Sequence, residues 1–155
     1  MKAVMDLDRR TFVGSIAASG LLLAAAPALA APALAMTTWH DPGCGCCLKW
    51  VEAMRRAGFQ VTVRKTSDMM AVKQRLKVPD PLASCHTTVI GGLVVEGHVP
   101  ATPIRTLLVR RPKGIIGLAA PGMPRGSPGM EMPDGSKDPL NLTLFDAAGR
   151  MRPFA

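Results

Sequence analysis

Four cysteines carry the reactive chemistry of this 155-residue chain. Three crowd into Cys44-Gly45-Cys46-Cys47, and the fourth lies far downstream in Ser84-Cys85-His86-Thr87. Thiols packed this closely admit three chemistries. One is a structural disulfide framework, the usual meaning of an even cysteine count in an exported protein. Adjacent Cys46 and Cys47 bridge each other only with strain, and a bridge from either to Cys85 leaves two thiols over. The second is thiol–disulfide exchange. Cys44 and Cys47 have the two-residue gap of a redox pair, and a helix amino end stabilises thiolate there. Such an enzyme has no use for Cys46 and usually sets a proline opposite its pair, where this chain reads Cys85-His86-Thr87-Thr88. The third is metal. Thiolates with His and Met nearby are a soft donor set, suited to Cu(I) more than to Zn(II) or Fe–S. Zinc sites space their ligands as C-x2-C pairs. The tighter run here favours sulfurs that bridge several monovalent ions, and Gly45 lets backbone and metal approach closely. Metal fits the whole set best.

Other soft donors sharpen that reading. His40 stands three residues before Gly43, where the motif loop begins, and is the best-placed histidine. His86 adjoins Cys85, but neighbours on a strand point to opposite faces. His98, in Glu96-Gly97-His98-Val99-Pro100, reads as a surface residue at the end of a hairpin. The chain holds ten Met, a high count. Met54, Met69 and Met70 fall in helical patterns and read as packing. Met123 and Met130 sit in a Gly/Pro-rich stretch with little else to pack, and as neutral thioether ligands they are candidates for a lid over the metal.

The elements that position these residues follow from periodicity. Met36 to His40 reads as a first strand, broken by Asp41-Pro42-Gly43. Cys47, Trp50, Val51, Met54 and Ala57 recur at helical spacing, and Gly58 is a natural stop. Phe59 to Lys65 alternates as a second strand. Thr66-Ser67-Asp68 is a cap cluster before a helix over Met69, Val72 and Leu76, with Pro79 beyond it. Thr87–Ile90, a Gly91-Gly92 turn and Leu93–Val95 predict a β-hairpin. Thr102 then caps a further helix with Pro103 at its first position and Ile104, Leu107 and Leu108 inward; Arg110 and Arg111 close it and Pro112 stops it. Of the 28 residues from Pro112 to Pro139, six are Gly and six Pro, so this stretch is expected to be a long loop. Leu140 to Phe145 reads as a closing strand. The resulting β-α-β-α-β-β-α order, with a Cys motif between the first strand and helix, predicts an α/β domain of thioredoxin-like type. Its site would sit at the carboxyl end of a strand.

Length and composition set bounds. The chain is 48% hydrophobic and 19% charged, enough for one modest core. Its net charge of +8 is scattered rather than gathered on one helix face, and aromatics are 4% with no Tyr, so a nucleic-acid surface is not expected. Residues 1–35 read as a signal peptide: charged start, short Ala-rich apolar run, and small-x-small sites ending at Ala30 and Ala35. Arg9-Arg10-Thr11-Phe12-Val13 resembles the twin-arginine consensus, which implies a periplasmic protein. The apolar run is too short for a stable bilayer span, and residues 36–155 form the functional domain.

The motifs together resemble a known family. Trp39-His40-Asp41-Pro42-x-Cys44-Gly45-Cys46-Cys47, then Ser84-Cys85-His86-Thr87, then Glu96-Gly97-His98-Val99-Pro100, and finally Gly117-Leu118-Ala119-x-Pro121-Gly122-Met123-Pro124-x-Gly126-Ser127-Pro128-Gly129-Met130-Glu131 are similar to the CopG-type periplasmic copper-resistance proteins, catalogued as domain-of-unknown-function family 411. The resemblance covers nearly all of residues 36–150. It implies a thioredoxin-like fold that binds several copper ions, Cu(I) favoured, through Cys44, Cys46, Cys47 and Cys85. His40, Met123 and Met130 would be peripheral ligands. It further implies a role in copper resistance, with interchange of Cu(I) and Cu(II), and contact with other periplasmic copper-handling proteins. Alternatives are a thiol–disulfide oxidoreductase working through Cys44 and Cys47, and a copper chaperone without redox activity.

Overall fold

A computed structural model describes residues 34–155. The expected signal peptide, residues 1–35, lies outside the described residues except at its last two positions. The described elements are β1 (Ala35–His40), α1 (Gly45–Arg56), β2 (Gln60–Lys65), α2 (Met69–Arg75), a short 3-10 turn (Asp80–Leu82), β3 (His86–Ile90), β4 (Leu93–Gly97), α3 (Ala101–Arg110), β5 (Ile115–Ala120), β6 (Thr143–Asp146) and β7 (Met151–Pro153). The seven strands form one sheet in the order β2-β1-β3-β4-β5-β6-β7. β1 runs parallel to β2 and β4 to β5, while the other neighbours are antiparallel.

The amphipathic patterns account for the layers. α1 buries Cys47, Trp50, Val51 and Met54 on one stripe, and α3 buries Ile104 and Leu107. Both stripes join Met36, Ile90, Val95 and Leu118 in the larger core on one face of the sheet. Val78, Leu82, Val94, Ala119 and Phe145 make a smaller core on the other face. Val94 and Val95 thus serve opposite cores, as the pleat requires. Trp50 anchors the larger core, its indole N–H donating to the Val99 carbonyl at 2.9 Å. Asp68 caps α2 by accepting from the Ala71 N–H at 2.9 Å.

Three expectations need correction. α3 begins earlier than Thr102: Pro100 is its N-cap and Pro103 is its third residue, where a missing N–H still costs no helical bond. The stretch from Pro112 is not all loop, because β5 runs through it. Ile115–Ala120 shows no alternation because its residues from Gly117 onward are buried. Gly117 is required there, since a Cβ would run into the Phe145 ring. Leu140–Phe145 is not the closing strand either. β6 starts at Thr143, and a turn held by the Asp146 carboxylate on the Ala148 and Arg150 N–H groups leads to β7.

Residues 121–142 have no regular element but fold on themselves. Gly126 N–H donates to the Met130 carbonyl at 2.7 Å and Met130 N–H to the Ser127 carbonyl at 2.8 Å. The Arg125 guanidinium pairs with Asp138 at 2.7 Å across the base of this loop.

Candidate metal centre

Topology brings the four cysteines together. β1 and β3 are antiparallel, so the end of β1 lies beside the start of β3, with His40 opposite His86. The Cys44–Cys47 motif follows β1 and Cys85 precedes β3; both therefore sit at one end of the sheet. β4 returns to the same end, so His98 joins them. The Asp41 carboxylate accepts from the Gly43 N–H at 2.8 Å and its carbonyl from the Cys44 N–H at 3.0 Å, which shapes the turn into α1. Cys44 is the N-cap of α1 and offers no side-chain capping bond, so it leaves the first amides of the helix without a side-chain acceptor.

The four sulfurs lie within 4.8 Å of one another. Cys46 Sγ is 3.6 Å from Cys44 Sγ and 4.0 Å from Cys85 Sγ. Cys44 and Cys47 are joined as a disulfide, with Cα atoms 5.4 Å apart, while Cys46 and Cys85 are free. The bonded pair is the one a dithiol exchange enzyme would use. The free pair is the one such an enzyme would not need.

A second donor group shares Cys85. His98 Nε2 is 3.1 Å and His86 Nδ1 3.3 Å from Cys85 Sγ. All three ligand atoms lie within 4.8 Å. His98 Nδ1 is 2.8 Å from the Pro128 carbonyl, which only accepts, so the ring carries its proton on Nδ1. Its Nε2 lone pair therefore faces Cys85. Burial first, then the neighbouring His98, Lys73 and His40, hold His86 well below its ordinary 6.5. Burial likewise lowers His98, partly opposed by the Pro128 carbonyl and Glu131. Both rings are thus neutral ligands at neutral pH. The Cys85 thiol is pushed up to about 12, by burial above all and then by Cys46. A metal bound there must displace its proton.

The histidine expectations are therefore corrected. His40, the one favoured from sequence, is fully buried and belongs to neither donor group. Its Nδ1 donates to the Asp41 carbonyl at 2.7 Å, and its Nε2 has no partner. His98 is not a surface residue but fully buried. It is brought there by its place just beyond a strand paired with the one Cys85 precedes. His86 escapes the strand-alternation objection because Cys85 lies before β3 begins. Of the two methionines, Met123 is 42% exposed with a φ of 47°, and Met130 is half-buried. The loop reaches the centre by its backbone: the Pro128 carbonyl meets His98, and Gly129 packs on α1. A Cβ at Gly129 would lie 2.7 Å from Trp50 N and 2.8 Å from the Cys46 carbonyl.

Comparison with known proteins converges on one family. A family described as protein of unknown function, DUF411, matches residues 82–130, the span holding Cys85, His86, His98 and Met130. A solved structure of copper resistance protein copG, form 1, is 45% identical, with a TM-score of 0.73; the match covers 79% of this chain and 96% of that one. Its form 2 is 44% identical, with a TM-score of 0.73, covering 79% and 97%. No curated protein matches.

Proposed function

Because this chain belongs to the CopG-type copper-resistance family, we propose that it takes up copper at the Cys44, Cys46, Cys47 and Cys85 sulfurs and interconverts Cu(I) and Cu(II) there. The observation that carries the reading is the position of Cys85, brought from another part of the chain to within 4.0 Å of Cys46. Clustered thiolates favour Cu(I), and bridging sulfurs suit several ions. Imidazole nitrogen suits Cu(II) as well, so His86 and His98 supply a harder set on the shared Cys85. Half-buried Met130 follows Pro128 and Gly129 on the loop segment that meets His98 and is the thioether this reading adds to the set. His40 and exposed Met123 are left as peripheral ligands.

The disulfide supplies the electrons' other home. When Cys44 and Cys47 are thiols, two Cu(II) ions take one electron each, the S–S bond forms, and two Cu(I) ions and two protons leave. The reverse reaction opens the bond with two electrons from two Cu(I) ions and two protons from solvent. Strand order β2-β1-β3-β4, with α1 joining a parallel pair, supports a thioredoxin-like core for this chemistry. The signal read in residues 1–35 assigns the protein to the periplasm, where delivery to other copper-handling proteins would follow. Among the described residues no helix is long and apolar enough to cross a membrane.

Anaerobic Cu(I) titration of the reduced protein, read by native mass spectrometry, tests the proposal. Two or more coppers per chain are expected, with fewer in Cys46→Ser. A single copper, unchanged in Cys46→Ser, would refute a bridged cluster. The formed disulfide favours a second reading, thiol–disulfide exchange on protein substrates. Insulin reduction by metal-free protein that survives Cys46→Ser and Cys85→Ser would establish it instead.

A further inference from the structure

Beneath Cys85 lies a charged pair for which the copper chemistry has no direct use. Glu96, on β4, is fully buried, and the Lys73 side chain, on α2, is 8% exposed. Lys73 Nζ donates to Glu96 Oε1 at 2.5 Å and to Thr87 Oγ1 at 2.9 Å. The Ser84 N–H donates to the same Oε1 at 2.6 Å, and the Thr87 hydroxyl donates to Oε2 at 2.6 Å. One carboxylate therefore holds donors from a helix, a strand and the Cys85 loop.

Stability alone is a poor reason for such a pair. Desolvation offsets the attraction, and well-packed apolar replacements are often neutral or better. Geometry is a better one. Ser84 precedes Cys85 and Thr87 follows it by two residues, so Glu96 grips the Cys85 segment on both sides. Gly97, next after Glu96, has a φ of +72°, and a Cβ there would lie 2.7 Å from Ser84 Oγ. Ser84 is thus seated directly on the Glu96-Gly97 backbone, and His98 follows at once. Both members of the 3.1 Å Cys85–His98 contact are placed by the same residue.

We propose that Glu96, matched by Lys73, is a positioning residue that fixes the Cys85 sulfur against His98 Nε2. The copper consequence rests on the reading above; the placement itself does not.

Two variants test it. Glu96→Gln keeps the shape and strands the Lys73 charge. Glu96→Leu with Lys73→Met removes both charges together and is expected to keep the wild-type circular dichroism, with a lower melting temperature because the Ser84 N–H and Thr87 hydroxyl lose their acceptor. In metal-free oxidised protein only Cys46 and Cys85 are free to alkylate. Iodoacetamide should modify Cys85 faster in the variants, with the Cys46 rate unchanged, as read by peptide mass. Cu(I) affinity, by chelator competition on reduced protein, should fall roughly 10- to 100-fold, as it does when groups that orient metal ligands are lost. An unchanged Cys85 rate overturns the proposal whatever copper does, and so does a rise shared equally by Cys46, which a general loosening would give. If wild type binds no Cu(I), the copper reading fails and the alkylation rates still decide the placement. Should neither variant fold, Thr87→Val, which keeps the ion pair and removes one grip, is judged by the same rates.

Discussion

The two arms of the cysteine centre are built on opposite terms. The Cys44–Cys47 arm joins a half-buried cysteine, which follows an exposed turn and caps α1 without a side-chain bond, to a buried one in the first turn of α1, and its sulfurs bond to each other. The Cys85 arm is held from below by Glu96 and Lys73 and flanked by two fully buried imidazoles. One arm can change its covalent state by opening or closing the bond between its own two sulfurs. The other cannot move without breaking buried polar contacts. A centre that must both take up electrons and keep its shape needs this division: exchangeable sulfurs on one side, a fixed donor on the other.

Removing the fixed donor should break the comparison most severely. Cys85 belongs to both donor groups. Cys85→Ser should therefore lower Cu(I) affinity by more than about 100-fold, beyond the usual effect of losing a supporting group. Cys46→Ser, which leaves Cys85 with both histidines, should cost less. Anaerobic chelator competition measures both, and equal losses would mean that the arms are not distinct.

Next in size is the strap that touches both arms. Gly129 lies on α1 at a φ of +83°, beside the Pro128 carbonyl that sets the His98 tautomer. Gly129→Ala adds backbone strain and a clash with Trp50 and Cys46 backbone atoms, so about 1–3 kcal/mol of stability should be lost. In a domain of this size each kcal/mol lowers Tm by roughly 4 °C. Thermal unfolding of the metal-free protein checks this, and an unshifted Tm would show that the strap lifts off freely.

His98→Gln touches the fixed arm alone. It removes the imidazole lone pair near Cys85. Cu(II) affinity should fall about tenfold, at the mild end of what ligand-shell changes cost, and electron paramagnetic resonance should lose one nitrogen's hyperfine coupling. Cu(I) stoichiometry should stay the same. A Cu(II) spectrum identical to wild type would remove His98 from the centre.

Much of the Cys44–Cys47 arm was legible in the sequence, and much of the fixed arm was not. Cys47, Trp50, Val51 and Met54 share one helix face, so α1 and its cysteine-bearing start were readable from spacing alone. Cys85 was readable as a partner by its type, a fourth thiol just before a predicted hairpin, while the pairing of that hairpin with β1 was not. His98 was not, because its burial depends on Pro128, which lies in a loop whose path no periodicity reveals. His40 is next to the motif in the chain, but its Nδ1 is satisfied by the Asp41 carbonyl, which leaves only its unpartnered Nε2 to serve as a ligand. β5 was hidden because its residues beyond Ile116 are buried and small, and Gly and Pro flank it. Glu96 was legible only as part of the Glu96-Gly97-His98-Val99-Pro100 motif and its burial was not, since a lone acidic residue in a strand usually faces water.

Acid offers the mildest way to loosen the fixed arm. His86 and His98 are both held below their ordinary 6.5 in the folded protein. Between the folded and unfolded values the unfolded chain binds more protons, so stability is whole above about pH 6.5 and falls as the pH drops below it. The loss for buried His86 is at most about 1.4 kcal/mol per pH unit. Glu96 acts in the opposite sense: burial raises it above its ordinary 4.5 despite Lys73, so the folded state protonates it first and recovers part of the loss as acid increases. Asp138 and Asp146, both lowered by arginine partners, subtract stability only once the pH falls toward their unfolded range near 4. The Tm of metal-free protein, followed by calorimetry, should decline as the pH falls below about 6.5, less steeply where the folded state protonates Glu96, before the final acid loss. The decline should be shallower in His98→Gln. Saturating copper should flatten it further, because an imidazole that holds metal no longer takes a proton. A slope that copper leaves untouched would show that the histidines are packed beside the sulfurs without serving as ligands, and the fixed arm would then consist of Cys85 alone.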